Sequence, residues 1–189
     1  SIIAQPFDGR ALGKEIKRLR PPLAEITFLG MMIGTGKELL HFFNVTRSPV
    51  SAVYVGGLFL KFLRDFTFHG RPMRLMNGNA LAARLAKSCF DKNVPIWTRA
   101  PVRKLRFDDN GQVIGATVET VTGTVEVSAN KGVVLAAGGF PQDPILRKEM
   151  FGHAPSGYEH ASPAPPGNTG DGLRLGQSAG ATVDKSLPN

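Results

Sequence analysis

Apolar residues recur at helical spacing most clearly after residue 77, where Leu81, Leu85, Ala86, Cys89 and Phe90 share one face. Asn77 or Asn79 stands where a side-chain cap is wanted, and Asn93 with Pro95 ends the run, so the spacing predicts a helix over residues 78–92. The pattern then switches to short alternating runs. Residues 95–99, 102–107, 113–120 and 125–129 read as strands, with turns at Asp108-Asp109-Asn110-Gly111 and around Thr122-Gly123. Such closely spaced strands predict an antiparallel meander. Residues 132–139 differ, because Gly-Val-Val-Leu-Ala-Ala-Gly-Gly is continuously apolar and ends in paired glycines. That is the pattern of a buried parallel strand running into a ligand-binding turn.

Before residue 77 the pattern is less regular. Residues 12–19 predict a short helix stopped by Pro21-Pro22, and residues 23–29 an extended segment. Two apolar groups, Leu39-Leu40-Phe42-Phe43 and Leu58-Phe59-Leu60-Phe62-Leu63-Phe66, predict helices packed on a core. The turn at Arg47-Ser48-Pro49 and the pair Gly56-Gly57 separate them. After residue 140, residues 141–151 predict a short helix, 153–168 a proline-rich loop and 170–180 a last helix.

Composition narrows the class. With 189 residues, 42% hydrophobic and 20% charged, the chain has the make-up of a globular domain of ordinary size. No stretch reaches the roughly 18 apolar residues of a membrane span, and the first six residues lack the order of a signal peptide, so a cytoplasmic protein is expected. A net charge of +8 raises the question of nucleic acid. Yet Arg71, Arg74, Arg84, Lys87, Arg99, Arg103, Lys104 and Arg106 are spread over several elements without interleaved aromatics. A solvated face, with some charge serving a cofactor pyrophosphate, is the expectation, and no nucleic-acid partner. Cys89 has no disulfide partner and reads as a small core residue. His41, His69, His153 and His160 have no metal-ligand spacing, and no metal is expected.

Three segments carry candidate chemistry. The turn 136–140 lets backbone approach a ligand, or is a tight strand-to-helix turn. Asn168-Thr169-Gly170-Asp171-Gly172 places free amides and a carboxylate at a helix start, or Asp171 or Thr169 is simply its cap. Gly78-Asn79-Ala80-Leu81-Ala82 has the same ambiguity at the head of the long helix. Tyr54 reads as a packing residue or as a phenol beside a substrate channel. Arg71 and Arg74 read as serving cofactor phosphates or only water.

The three segments together, with Val94-Pro95-Ile96, Val102-Arg103-Lys104-Leu105, residues 111–116 and Gly180-Ala181, give residues 77–183 a specific resemblance. The chain resembles the fumarate reductase and ketosteroid dehydrogenase superfamily of flavoproteins. Asp8-Gly9-Arg10 and Ala136-Ala137-Gly138-Gly139-Phe140 tilt the resemblance to the ketosteroid branch. The resemblance implies FAD as cofactor. It implies that Asn77, Gly78, Asn79, Ala80 and Leu81 lie against FAD and that Val102 meets the adenine through its backbone. It further implies that Ala136, Ala137, Gly138 and Gly139 line the dinucleotide, while Gly170, Asp171 and Gly172 approach the flavin. The implied fold is α/β, a partial doubly wound FAD-binding domain with an inserted antiparallel meander at 95–129. Residues 1–76 form its helical, irregular part, 77–183 the core, and 184–189 the start of a substrate domain.

The implied reaction moves a hydride between a substrate carbon and flavin N5, on a steroid or, in the other branch, an enoate. No Gly-x-Gly-x-x-Gly follows a strand near the N-terminus; the nearest approximation runs from Gly30 to Gly36 in the wrong context. The chain is therefore expected to be an internal fragment of a longer parent, doubtful as a catalyst alone. The alternatives are an enoate-reductase fragment, or an interaction fragment that binds no cofactor and buries its flavin-facing surface in a homo-oligomer.

Overall fold

The computed structural model describes residues 5–24, 27–159 and 161–184. His160, residues 25–26 of the expected extended segment and the expected substrate-domain residues 185–189 lie outside them. The chain divides into two compact units, Ser1–Ile96 and Trp97–Asn189.

In the first unit, strand β1 (Phe7–Asp8) leads into a 3-10 segment, Gly9–Arg18, that replaces the expected α-helix. Asp8 caps it by accepting from the Arg10 amide, and Gly13, at φ 54, kinks it midway. Arg71 closes its far end by donating to the Ile16 and Leu19 carbonyls at 2.7 and 3.0 Å. A hairpin of β2 (Thr27–Phe28) and β3 (Met31–Met32) precedes helix α1 (Lys37–Phe43) and helix α2 (Pro49–His69). Ser48 caps α2 and Pro49 opens it, as the turn at 47–49 requires. Gly56 and Gly57 do not separate the two apolar groups: they lie inside α2, and no contact near either explains a glycine there. Nor does the apolar face of α2 pack on a core. Only Ser51, Val55 and Asp65 are buried along it, while Val53, Leu60 and Phe68 are exposed.

Strand β4 (Arg74–Leu75) pairs antiparallel with β1, setting Leu75 opposite Phe7, and leads into helix α3 (Asn77–Asp91). The cap of α3 is Met76, which makes no side-chain bond. Asn77 is in the helix with φ 48, and Asn79 donates to the Arg20 carbonyl at 2.9 Å, so neither asparagine caps it. The buried face is also rotated from the expected one. Ala80 and Ala83 are fully buried, with Ala86 and Phe90 packed at the margin, while Leu81 and Leu85 are exposed. Small residues win this face because α3 lies close to β1, β4 and the 3-10 segment, where a leucine would not fit. Leu12, Ile16, Met32, Met73, Leu75 and Met76 complete the core, and Cys89 is half-buried beside it.

In the second unit the expected strand at 95–99 does not form, and Arg99 sits at φ 55, outside extended geometry. The meander does form, from β5 (Val102–Phe107), β6 (Val113–Thr120) and β7 (Gly123–Ser128), in the order β5-β6-β7. Asp108 shapes the first turn by accepting from the Asn110 and Gln112 amides at 2.9 and 2.8 Å. Leu105 faces Ala116 across the β5–β6 pair, and these residues with Val118 are its buried apolar positions. Residues 132–139 are not a buried parallel strand. They pair with nothing as a ladder, and Val134 is 90% exposed. A parallel strand needs neighbours on both sides for its amides and carbonyls, and no strand runs beside this one among the described residues. Helix α4 (Pro144–Met150), capped by Asp143, and helix α5 (Asp171–Ser178) follow on either side of a loop. In that loop the Ser156 amide donates to Glu159 and holds its carboxyl at about 2.

Leu75 is the most enclosed large side chain, at 0% exposure. Leu75→Ala is expected to lower stability by about 3 kcal/mol through lost burial and the cavity left behind, read as a shift in the urea midpoint by circular dichroism.

Candidate functional site

The candidate residues fall on both units. In the first, Gly78, Ala80 and Leu81 occupy the opening turns of α3. No side chain bonds the free amides there, and a Cβ built on Gly78 meets nothing within 4 Å. The helix start therefore offers unclaimed N–H groups and open space at its first turn, and the aligned peptide dipoles favour negative charge there. Asn79 contributes less, since its side chain is engaged by Arg20.

In the second unit, the exposed small residues Ala136, Ala137, Gly138 and Gly139 pass directly beside the start of α5. The Gly170 amide donates to the Gly139 carbonyl at 3.2 Å, and a Cβ on Gly172 would lie 3.2 Å from that of Ala137. Gly138, at φ 75, leaves room for the Asn168 amide group, whose atoms would be 3.0 to 3.3 Å from a side chain there. Gly170 caps α5 in the left-handed conformation, φ 83, without a side-chain bond. Neither Asp171 nor Thr169 is the cap. Instead Thr169 donates to Asp171 at 3.2 Å, and Asp171 keeps an exposed carboxylate in the first turn. Arg174 ties this corner together, donating to the Thr169 carbonyl and to Asp143. Asp143 is held below the ordinary carboxylate range, first by the Leu146 amide and then by Arg174.

Val102, at the start of β5, and Asp171 line one open cavity of about 360 Å³, with Lys104, Leu105, Arg174 and Leu175 among its walls. Sequence reasoning proposed both ends of this cavity but missed Arg174, whose guanidinium lies 3.7 Å from Asp171. The i,i+3 spacing of Asp171 and Arg174 was the available signal.

Arg71 and Arg74 are not free for phosphates. Arg71 holds the two 3-10 carbonyls, and Arg74 pairs with Glu38 through two bonds of 2.9 and 2.6 Å. Tyr54 stacks on His41 at 4.6 Å and its hydroxyl lies 3.4 Å from Glu38. Burial and then the Glu38 charge push that phenol up, so it is held neutral. Among the described residues, no group of three or more His, Cys, Asp and Glu is placed to hold a metal ion. No helix among them is long and apolar enough to cross a membrane.

Exposed small residues beside an uncapped helix start occur in each unit, an arrangement that admits an anionic ligand such as a dinucleotide. The chain belongs to the FAD-binding-domain family, whose model matches residues 4–188, and FAD is that family's cofactor. It is 35% identical over 99% of its length to a 4-oxocyclohex-2-ene-1-carboxylate 5-dehydrogenase of Sinomonas cyclohexanicum, covering 31% of that protein. It is also 26% identical, over 97% of its length, to a 3-oxosteroid 1-dehydrogenase of Mycolicibacterium smegmatis, covering 32% of that enzyme. In fold it matches 3-ketosteroid delta1-dehydrogenase from Sterolibacterium denitrificans, solved with 1,4-androstadiene-3,17-dione. The TM-score is 0.75 at 24% identity, over 93% of this chain and 32% of the other. The chain thus spans about a third of the length of these relatives.

Gly170 meets two constraints at once, a left-handed backbone and a Cβ that would lie 2.5 Å from Leu146 and 3.2 Å from Phe140. Gly170→Ala is expected to cost about 2 kcal/mol of stability, seen as a lower thermal midpoint, and to loosen the contact of residues 136–139 with α5.

Proposed function

We propose that this chain is the flavin-holding part of an FAD-dependent dehydrogenase that desaturates a cyclic ketone. The observation that carries the reading is the pairing of exposed 136–139 with the uncapped start of α5, within a chain that matches the family over nearly its whole length. When bound, FAD supplies a hydride acceptor at flavin N5. The α3 amides from Asn77 to Asn79 and the small side chains of Gly78 and Ala80 receive one part of it, with Leu81 offering an exposed apolar edge. Ala136, Ala137, Gly138 and Gly139 lie along the dinucleotide, and the Val102 backbone meets the adenine. Gly170 and Gly172 keep the α5 start narrow, and Asp171 accepts from hydroxyls near the flavin.

The doubly wound arrangement belongs to this proposal. A small-ring oxo acid is favoured over a steroid as substrate, because the 35% identity to the oxocyclohexene carboxylate enzyme exceeds that to the oxosteroid enzyme. Proton transfer is not assigned to Tyr54, which is engaged by Glu38 and held protonated.

Titration of the purified chain with FAD tests this, since bound oxidised flavin gives a two-band visible spectrum that follows the protein through gel filtration. A chain that never retains flavin sinks the reading. Gly78→Leu places a Cβ where nothing lies within 4 Å and extends it into the open flank of α3, so it is expected to fold like the wild type. Its FAD affinity should fall by about tenfold or more, a loss of roughly 1.4 kcal/mol.

A further inference from the structure

A second concavity lies on the first unit, lined by none of the residues proposed to hold flavin. It is an open cleft of about 320 Å³ between α2 and the β1–β4 ladder. Its polar walls are Asp8, Arg10, Lys61, Arg64, Asp65 and Arg74, over an apolar floor that includes Phe7 and Met73.

Three of the four cations are already matched. Arg10 pairs with Asp8 at 2.7 Å, Arg64 with Asp65 at 3.1 Å, and Arg74 with Glu38 at 2.6 Å. The carboxylates have further donors: Asp8 also accepts from the Arg10 amide, and Asp65 from the Met73 amide at 3.4 Å. Lys61 is different. It makes no hydrogen bond or ion pair with any described residue. Its stem stands between this cleft and a smaller apolar recess lined by Met31, Met32 and Leu58. The cleft therefore carries one surplus positive charge above a hydrocarbon floor.

We propose that the cleft between α2 and the β1–β4 ladder binds a small organic monocarboxylate, with Lys61 as its counter-ion and Phe7 and Met73 under its apolar body. One unmatched ammonium calls for one negative charge. Arg10 and Arg74 spend their forks on Asp8 and Glu38, while Arg64 gives a single N–H to Asp65, so the one net positive charge of the walls, and not a lack of donors, favours a monoanion over a phosphate dianion. The volume suits a ligand of about one ring. Such a site is separate from the flavin reading, and binding there does not require FAD.

An amide-resolved NMR titration of the chain with cyclohexanecarboxylate tests it, with cyclohexanol and inorganic phosphate as comparison probes. Saturable shifts at Phe7, Arg10, Lys61 and Arg64 are expected with the carboxylate, no saturation with cyclohexanol, and weaker binding of phosphate. Lys61→Met should weaken the carboxylate by about tenfold or more at an unchanged melting temperature, since Lys61 is exposed, and Lys61→Arg should restore most of it. Equal binding by Lys61→Met or of cyclohexanol overturns the proposal, as does the absence of saturable shifts with the carboxylate. Phosphate binding as tightly as the carboxylate overturns the ligand class.

Discussion

A carboxylate withdrawn from water must be met by donors on every side, and Glu38, at 9% exposure, is met from three elements. The Gly34 amide reaches it at 2.7 Å from the loop before α1, and Arg74 grips both oxygens from β4. Tyr54 approaches from α2 at 3.4 Å. Burial pushes the carboxyl up, but the Arg74 hydrogen bonds, the Gly34 amide, the Arg74 charge and Tyr54 outweigh it and leave it below its ordinary value of 4.5. A folded-state value below the unfolded one means that Glu38 stabilises the fold fully above about pH 4.5 and loses that effect as the pH falls through the folded value. The same bonds explain why Gly34 is a glycine. A Cβ there would press on the Met76 methyl at 2.8 Å and on the Glu38 carboxylate at 3.1 Å.

That clamp also bears on the flavin contact proposed for the first unit. By holding Arg74 it fixes β4, and β4 runs straight into α3, so the uncapped amides of Asn77 to Asn79 are presented from a rigid ladder rather than from a loop. Arg74 is unavailable to a phosphate for the same reason. On the proposed function, the positive field for an anionic cofactor at this helix would come from the peptide dipoles and not from the nearest guanidinium.

How much of this was legible in the sequence depended on how local the deciding contacts are. Within the meander, strands 102–107 and 113–120 were readable to the residue, because they pair across a turn that Asp108 and Gly111 specify themselves, whereas the strand expected at 95–99 has no such local turn and does not form. The extent of α3 was readable, but not its buried face. Helical spacing rewards Leu81 and Leu85, whereas close approach to β1 and β4 rewards Ala80 and Ala83, and that approach is a tertiary fact. Gly56 and Gly57 looked like punctuation, yet α2 continues through them. Of the candidate site, the small residues at 136–139 and 170–172 were visible as composition, and what was hidden was their mutual approach through the Gly170–Gly139 bond and the part of Arg174.

The caps bear on the two readings that the glycine-rich segments left open. At two helix starts a side chain satisfies the open amides: Ser48 bonds the Ser51 amide at α2, and Asp143 bonds two amides at α4. At α3 and α5 the cap positions hold Met76 and Gly170, which offer no acceptor, although Asn77 and Asp171 stand one residue away. A cap is worth about 1 kcal/mol, so leaving both helices without one is a cost the fold itself does not require. On the proposed function, anionic groups of a bound cofactor would meet the open amides at each of these starts, beside Gly78 in the first unit and along residues 136–139 in the second. The start of α1 is uncapped as well, with Gly36 at its cap position and Glu38 spent on Gly34 and Arg74, so it is the close approach of the small residues 136–139 and the open flank of Gly78, beyond the missing caps, that support the proposed reading at α5 and α3.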